Sequence, residues 1–356
     1  MFDDMILVDG VVHGYNWTPE NWALPEAELC AAAGAGFHGF LTPDDESRLS
    51  PEEFLRNWSA AEMEEVLFGE SPIDLVAYHG TPIWDFFKDG HSDTEKGFEL
   101  KERNPGRVLV YGAANPFEGE KALADIEELA GRGADAIKVY AARYDKGRTH
   151  EQRLDDPEFG YPFIQKALDC GIKVIATHKA MPFGPVRSAP YGVQDIPEAC
   201  SVFPQMTFEV VHTGFAFVED TAFLGGIPNC WFNLEASMSL IYNAPRRFAE
   251  FLGLFLQSGA ASRTIFASGC TLCHPWPLIQ KFLEFEMPRD LVEDYGYPEL
   301  TPEIKRGILG ANFLRMHGLD PDEVKASIAD DKWSERQRAG LDAPWSHFRG
   351  SAHVHA

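Results

Sequence analysis

A chain of 356 residues with 45% hydrophobic side chains can bury a large core, and 55 acidic against 31 basic residues leave a net charge of −24. That balance excludes nucleic acid and anionic membrane as partners, because both require a basic surface. Six scattered cysteines form no disulfide framework and residues 1–12 hold no basic, apolar leader, so a reducing cytoplasm is the expected home. No stretch approaches the roughly 18 apolar residues of a membrane span.

The first β-rich run, residues 5–9, leads to His13. A long insertion follows, about residues 14–70, with Trp17, Trp22 and Trp58 among many acids. It reads as a cap over a substrate site. Beyond it the chain repeats one grammar: an amphipathic helix, a break containing glycine, then a short β-rich run. Residues 121–130 place Leu123, Ile126 and Leu129 on one helical face, Gly131 and Gly133 end the helix, and the run 135–140 follows. Helix 163–170, Gly171 and the run 172–177 repeat the pattern, as do helix 249–257, Gly259 and the run 264–268.

The runs 5–9, 73–78, 107–112, 135–140, 172–177, 207–211, 230–234 and 264–268 make eight. Strands joined by helical crossovers form a parallel sheet, and eight such units predict a closed (β/α)8 TIM barrel. A doubly wound open sheet is the alternative, but no glycine-rich nucleotide fingerprint follows the first run. Residues 276–286 and 302–316 read as helices after the eighth run. The barrel is expected to fill residues 1–320 as one domain. Residues 321–356 read as a polar tail that packs on a neighbour or stays mobile.

Five histidines fall at the ends of these runs: His13, His79, His178, His212 and, just past the eighth, His274. The C-terminal ends of barrel strands converge on one mouth, and imidazoles gathered there suit a divalent metal. His38, His91 and His150 read as loop residues, His317 as helical, and His347, His353 and His355 as tail. Lys138 lies inside the fourth run, where a buried ammonium needs a reason. Pairing with Glu235 or Asp135 is one reason, and a carbamate bridging two metals is another. Glu235, after the seventh run, is a candidate ligand or base. Asp9 joins Glu235 and Lys138 as a candidate catalytic group, and His79, Tyr140 and Lys179 are candidate substrate contacts.

Cys270-Thr-Leu-Cys273-His274 matches the CxxCH of haem attachment. Without an export signal haem is not expected, and the two thiols read as small packed residues, with thiolate ligation as the alternative.

Taken together these residues resemble the amidohydrolase-related proteins of the metal-dependent (β/α)8 hydrolase superfamily. Val8-Asp-Gly-Val-Val-His13 corresponds to I-D-x-H-x-H, Thr177-His178 to the lone histidine of strand five, and Val211-His-Thr-Gly214 to H-x-G of strand six. Residues 308–319 resemble the closing I-x-G-x-N-x-x-R-x-x-G-L. There are two departures: Val11 stands where the first histidine of H-x-H is expected, and Gly269 where the strand-eight aspartate is expected. In that superfamily the aspartate binds metal and takes the proton of the attacking water. V-D-x-V-V-H-x-Y-N with A-S-G-C-x-x-x-H-P is similar to a branch containing the catalytic subunit of 2-aminoisobutyric acid hydroxylase.

The resemblance implies a site of His13, His178, His212, His274 and Glu235 holding two divalent metals, Fe and/or Mn, with Zn as the alternative. It implies an oxygenase that uses dioxygen to hydroxylate a small amino acid, with a homologous partner subunit or as a homo-oligomer. A Zn-dependent hydrolase or non-oxidative decarboxylase, and a non-catalytic subunit, are the rival expectations.

Overall fold

The computed structural model describes residues 5–42, 44 and 47–349, so His353 and His355 lie outside the described residues. Its centre is eight strands: β1 Val8–Val12, β2 Leu75–His79, β3 Val108–Ala113, β4 Ala136–Tyr140, β5 Val174–His178, β6 Thr207–Val211, β7 Cys230–Asn233 and β8 Thr264–Ile265. Each is parallel to the next, in chain order. The ring closes between the segment after β8 and β1. Gly10 N donates to Phe266 O at 3.0 Å, Gly269 N donates to Val11 O at 3.1 Å, and Val12 bridges to Cys270. The expected barrel is therefore the observed one.

Strand β1 begins three residues later than its apolar run predicts. Ile6 is buried with Phe313 and Leu314 beneath the barrel, so apolarity there reports burial at the barrel floor rather than sheet pairing. Glycines 133, 171 and 259 take φ of +84°, +84° and +85°. Only glycine enters that region without a Cβ penalty, which is why helices stop there. The hairpin of Ala142–Asp145 and Arg148–Glu151 was not legible beforehand. Its turn uses Lys146 and Gly147, both at positive φ, as a two-residue turn requires.

Alternate strand residues build two cores. Leu75, Ala77, Leu109, Ala136, Val174, Ala176, Trp231 and Ile265 pack inside the ring, whereas Val76, Val110, Ile137, Ile175, Phe208, Val210 and Phe232 pack against the outer helices. The insertion belongs to the outer core. Trp17 and Trp58 are buried there, with Trp58 against Trp345, so these tryptophans fill the fold.

Residues 321–349 of the tail depart from expectation. Helices Pro321–Ile328 and Lys332–Ala339 are capped by Asp320 and Asp331, and Trp333 and Trp345 are buried. Arg107, itself buried, holds Asp331 through Nε and Nη2 at 2.5 and 2.9 Å. Two tryptophans supply enough apolar area to dock a segment that composition marks as polar. No helix among the described residues is long and apolar enough to cross a membrane.

Candidate metal centre

Side chains alternate along a strand, so every second residue faces the barrel interior. Apolar residues fill the lower inward positions, and the upper ones carry His79 on β2, Lys138 on β4, His178 on β5, Glu209 on β6 and Asn233 on β7. Just past the strand ends stand His13, His212 and Glu235. All eight are buried.

Hydrogen bonds fix the histidine tautomers, because a carbonyl oxygen only accepts. Nδ1 of His13 donates to His79 O at 2.8 Å, which leaves its Nε2 with a lone pair. Nε2 of His178 donates to Met181 O at 2.5 Å. Its Nδ1 therefore accepts, and His212 Nε2 donates to it at 2.7 Å. That leaves a lone pair on His212 Nδ1, which stands in contact with Oε2 of Glu235. Neither of these two buried atoms has a hydrogen-bond partner. Two electron-pair donors facing each other define a position for a proton or a cation.

The electrostatics agree. Burial pushes His13 down to about 3 and His79, His178 and His212 well below the ordinary imidazole range, so all four are neutral, the state in which an imidazole with a free lone pair ligates. Burial raises Glu209 and Glu235, against the pull of Asn233 and Lys138 on the first and of His13 and Lys138 on the second. It lowers Lys138, which the two carboxylates oppose.

Unsatisfied buried atoms cluster here: both ring nitrogens of His79, Nζ of Lys138 and Oε2 of Glu209 lack partners, although buried polar groups are almost always paired. This set of imidazole nitrogens and carboxylate oxygens fits a divalent metal. No three His, Cys, Asp or Glu among the described residues are grouped so as to hold one metal ion in common.

Other sequence candidates lie elsewhere. His274 does not join the cluster: Nε2 meets Oε2 of Glu70 at 3.1 Å and Nδ1 accepts from Trp276 N at 3.3 Å. Asp9 faces Ser268, whose N and Oγ donate to its two oxygens at 2.9 and 2.5 Å, so it ties β1 to the segment after β8. Lys179 is locked to Asp195 at 2.8 Å and to Pro190 O at 3.1 Å. Asp135 pairs with Lys101 at 2.7 Å, not with Lys138. Tyr140 does reach the site, stacked on His178 with ring centroids 4.2 Å apart. His79 reaches it too, edge-on to His13 at 6.0 Å, but as a deeply buried group.

His38 is helical rather than in a loop. It bonds Leu272 O at 2.7 Å and accepts from Leu49 N at 2.8 Å. Cys270 and Cys273 are buried in the outer core, and burial pushes both thiols above the usual range, which opposes thiolate ligation.

Glu209 was missed, although the same signal that marks Lys138, a charge at an inward position of a buried strand, marks it too. Tyr15, stacked on His13 at 4.8 Å, carried no such signal. Cavity size does not locate the centre. An opening of about 850 Å³ lies at the opposite, N-terminal strand ends, beside Gly106, Gly171 and His317, away from these groups.

Fold and site together define a (β/α)8 protein with a buried, histidine-rich, carboxylate-bearing centre at its C-terminal mouth. The amidohydrolase family model matches residues 38–319, and the chain belongs to that family. No curated protein matches it. Among solved structures it is similar to an uncharacterized TIM-barrel protein from Bordetella bronchiseptica, with 15% identity, a TM-score of 0.62 and coverage of 88% of this chain and 100% of that one. It is similar to 5-carboxyvanillate decarboxylase from Novosphingobium aromaticivorans, complexed with manganese, with 11% identity, a TM-score of 0.56 and coverage of 89% and 97%. A 2,6-dihydroxybenzoate decarboxylase from Rhizobium has 11% identity, a TM-score of 0.53 and coverage of 88% and 99%. At these identities the likeness is one of fold.

Proposed function

We propose that the chain is a divalent-metal-dependent enzyme that decarboxylates a small polar acid without oxidation. The observation that carries this reading is the facing pair of lone-pair donors, His212 Nδ1 and Glu235 Oε2. His13, His79, His212 and Glu235 would hold the metal, with His178 fixing the His212 ring through its Nδ1, and a bound metal supplies Lewis acidity toward a substrate oxygen.

The remaining steps fall to the chain's own groups. Nζ of Lys138, buried and unpaired, offers a counter-charge to a substrate carboxylate. Glu209, whose carboxyl burial raises, holds the proton that replaces CO2 on carbon. The buried surroundings exclude water. Manganese-bound decarboxylases among the similar folds support the assignment. The test is manganese-loaded protein under argon with a panel of small aromatic and aliphatic acids. Release of one CO2 per product is expected, and no release from any acid, with metal shown to be bound, overturns decarboxylation.

A second reading is favoured by Lys138 alone. An unpartnered Nζ acted on by both Glu209 and Glu235 becomes, as a carbamate, an oxygen donor for a second hard metal. Two Fe or Mn ions would then serve an oxygenase that hydroxylates a small amino acid, as in the 2-aminoisobutyric acid hydroxylase branch, with a homologous partner subunit. Two metals per chain and turnover that stops without dioxygen would establish it. One metal and undiminished anaerobic turnover would remove it.

A further inference from the structure

Gly269 adopts φ of +68° in the segment that closes the barrel against β1, where its N donates to Val11 O at 3.1 Å. A Cβ built there would fall on Oε1 of Glu235, 3.0 Å from its Cδ and 3.3 Å from its Cγ. No backbone atom is among the three nearest neighbours. The three atoms nearest a Cβ at position 269 thus all belong to one side chain, that of Glu235, arriving from the end of the neighbouring strand. Oε2 of the same carboxyl touches His212 Nδ1. One oxygen occupies the space in front of Gly269 and the other faces the imidazole.

We propose that Glu235 and Gly269 are a reciprocal pair: the centre has room for one carboxylate on this side, β7 supplies it, and position 269 is bare so that it fits. Glu235 is then a metal ligand placed by the absence of its neighbour's side chain. The absence of aspartate at 269 is a relocation of the carboxylate, not its loss. This rests on the metal-dependent reading above.

The pair predicts non-additive substitutions. In the Glu235 background, Gly269→Ala displaces the carboxyl. In a Glu235→Ala background the three nearest atoms, Cγ, Cδ and Oε1, are gone, so the same substitution no longer displaces a carboxyl. Aspartate is among the residues best tolerated at positive φ, so Glu235→Ala/Gly269→Asp offers a carboxylate from the other strand.

The experiment measures Mn(II) binding by calorimetry on the full chain, with folding of each variant checked by circular dichroism. Glu235→Gln, which keeps the shape and removes the charge, should weaken Mn(II) at least about 10-fold. Gly269→Ala should weaken it alone but cost nothing further on top of Glu235→Ala. Glu235→Ala/Gly269→Asp should recover at least about 10-fold over Glu235→Ala. Wild-type affinity in Glu235→Gln overturns the proposal, as do equal effects of Gly269→Ala in both backgrounds. Should the aspartate variant fail to fold, the alanine cycle still decides. A wild-type chain that binds no metal defeats the metal-dependent reading itself, whereas a metal-binding wild type with indifferent Glu235 variants defeats only the pair.

Discussion

Two buried glutamates meet histidines in this molecule, and they are satisfied very differently. Glu70 accepts from His274 Nε2 at 3.1 Å, His347 N at 2.9 Å, His347 Nδ1 at 3.0 Å, Trp345 N at 2.7 Å and Ser346 Oγ at 3.2 Å. Burial alone would raise its carboxyl, but bonds from His274 and His347 hold it well below the usual range. Glu235 has one contact with an imidazole lone pair, no hydrogen bond to Oε2, and a carboxyl that burial raises. A saturated carboxylate is a fastener, here joining the tail to the loop after β8. An unsaturated one is, on the metal-dependent reading proposed above, a group for chemistry rather than for fastening.

The largest effect is expected where satisfaction is greatest. Replacing Glu70 by Ala strips the partners of His274, Trp345 and His347 and should cost about 3–5 kcal/mol in urea unfolding, while Mn(II) affinity changes little among molecules that remain folded. A loss under about 1 kcal/mol would erase the distinction between the two sites.

Asp9 sharpens the comparison through pH. Burial raises it to about 7, against the lowering effect of the Ser268 bonds. Between its unfolded value near 4 and about 7, the native chain binds the extra proton. Its contribution to stability is therefore complete below about pH 4 and is lost as pH rises through 7. Asp9→Asn should flatten that slope, a difference of about 4 kcal/mol across the window by denaturation at successive pH values. Parallel slopes for the two proteins would show that Asp9 does not hold the proton.

The smallest effect has the opposite sign. Lys138→Met removes a buried ammonium with no hydrogen-bond partner and should raise unfolding stability by about 1 kcal/mol, while substrate turnover falls. Destabilisation would mean that Lys138 is fastened like Glu70.

Much of this architecture was legible because its causes are local. Gly133, Gly171 and Gly259 stop helices through their own φ, and eight β-rich runs at helical spacing imply the ring. The ends of those runs put His13, His178 and His212 at one mouth. His274 was misplaced because a loop residue has no strand phase to fix its direction, and Glu70 claims it from 204 positions away in sequence. The tail was misread because two tryptophans outweigh its polar average.

By itself, then, the sequence determined the barrel, the order of its strands and the imidazoles at its mouth, since periodicity and strand ends are properties of neighbouring residues. Tertiary structure alone decided which nitrogen of His13 and of His212 is free, that Asp9 serves closure with Ser268, and that Glu235 stands in the space before Gly269. Those outcomes depend on the register with which β1 meets the segment after β8 and on contacts between residues as much as 259 positions apart. No local pattern encodes a distance of that kind, because it exists only once the ring has closed.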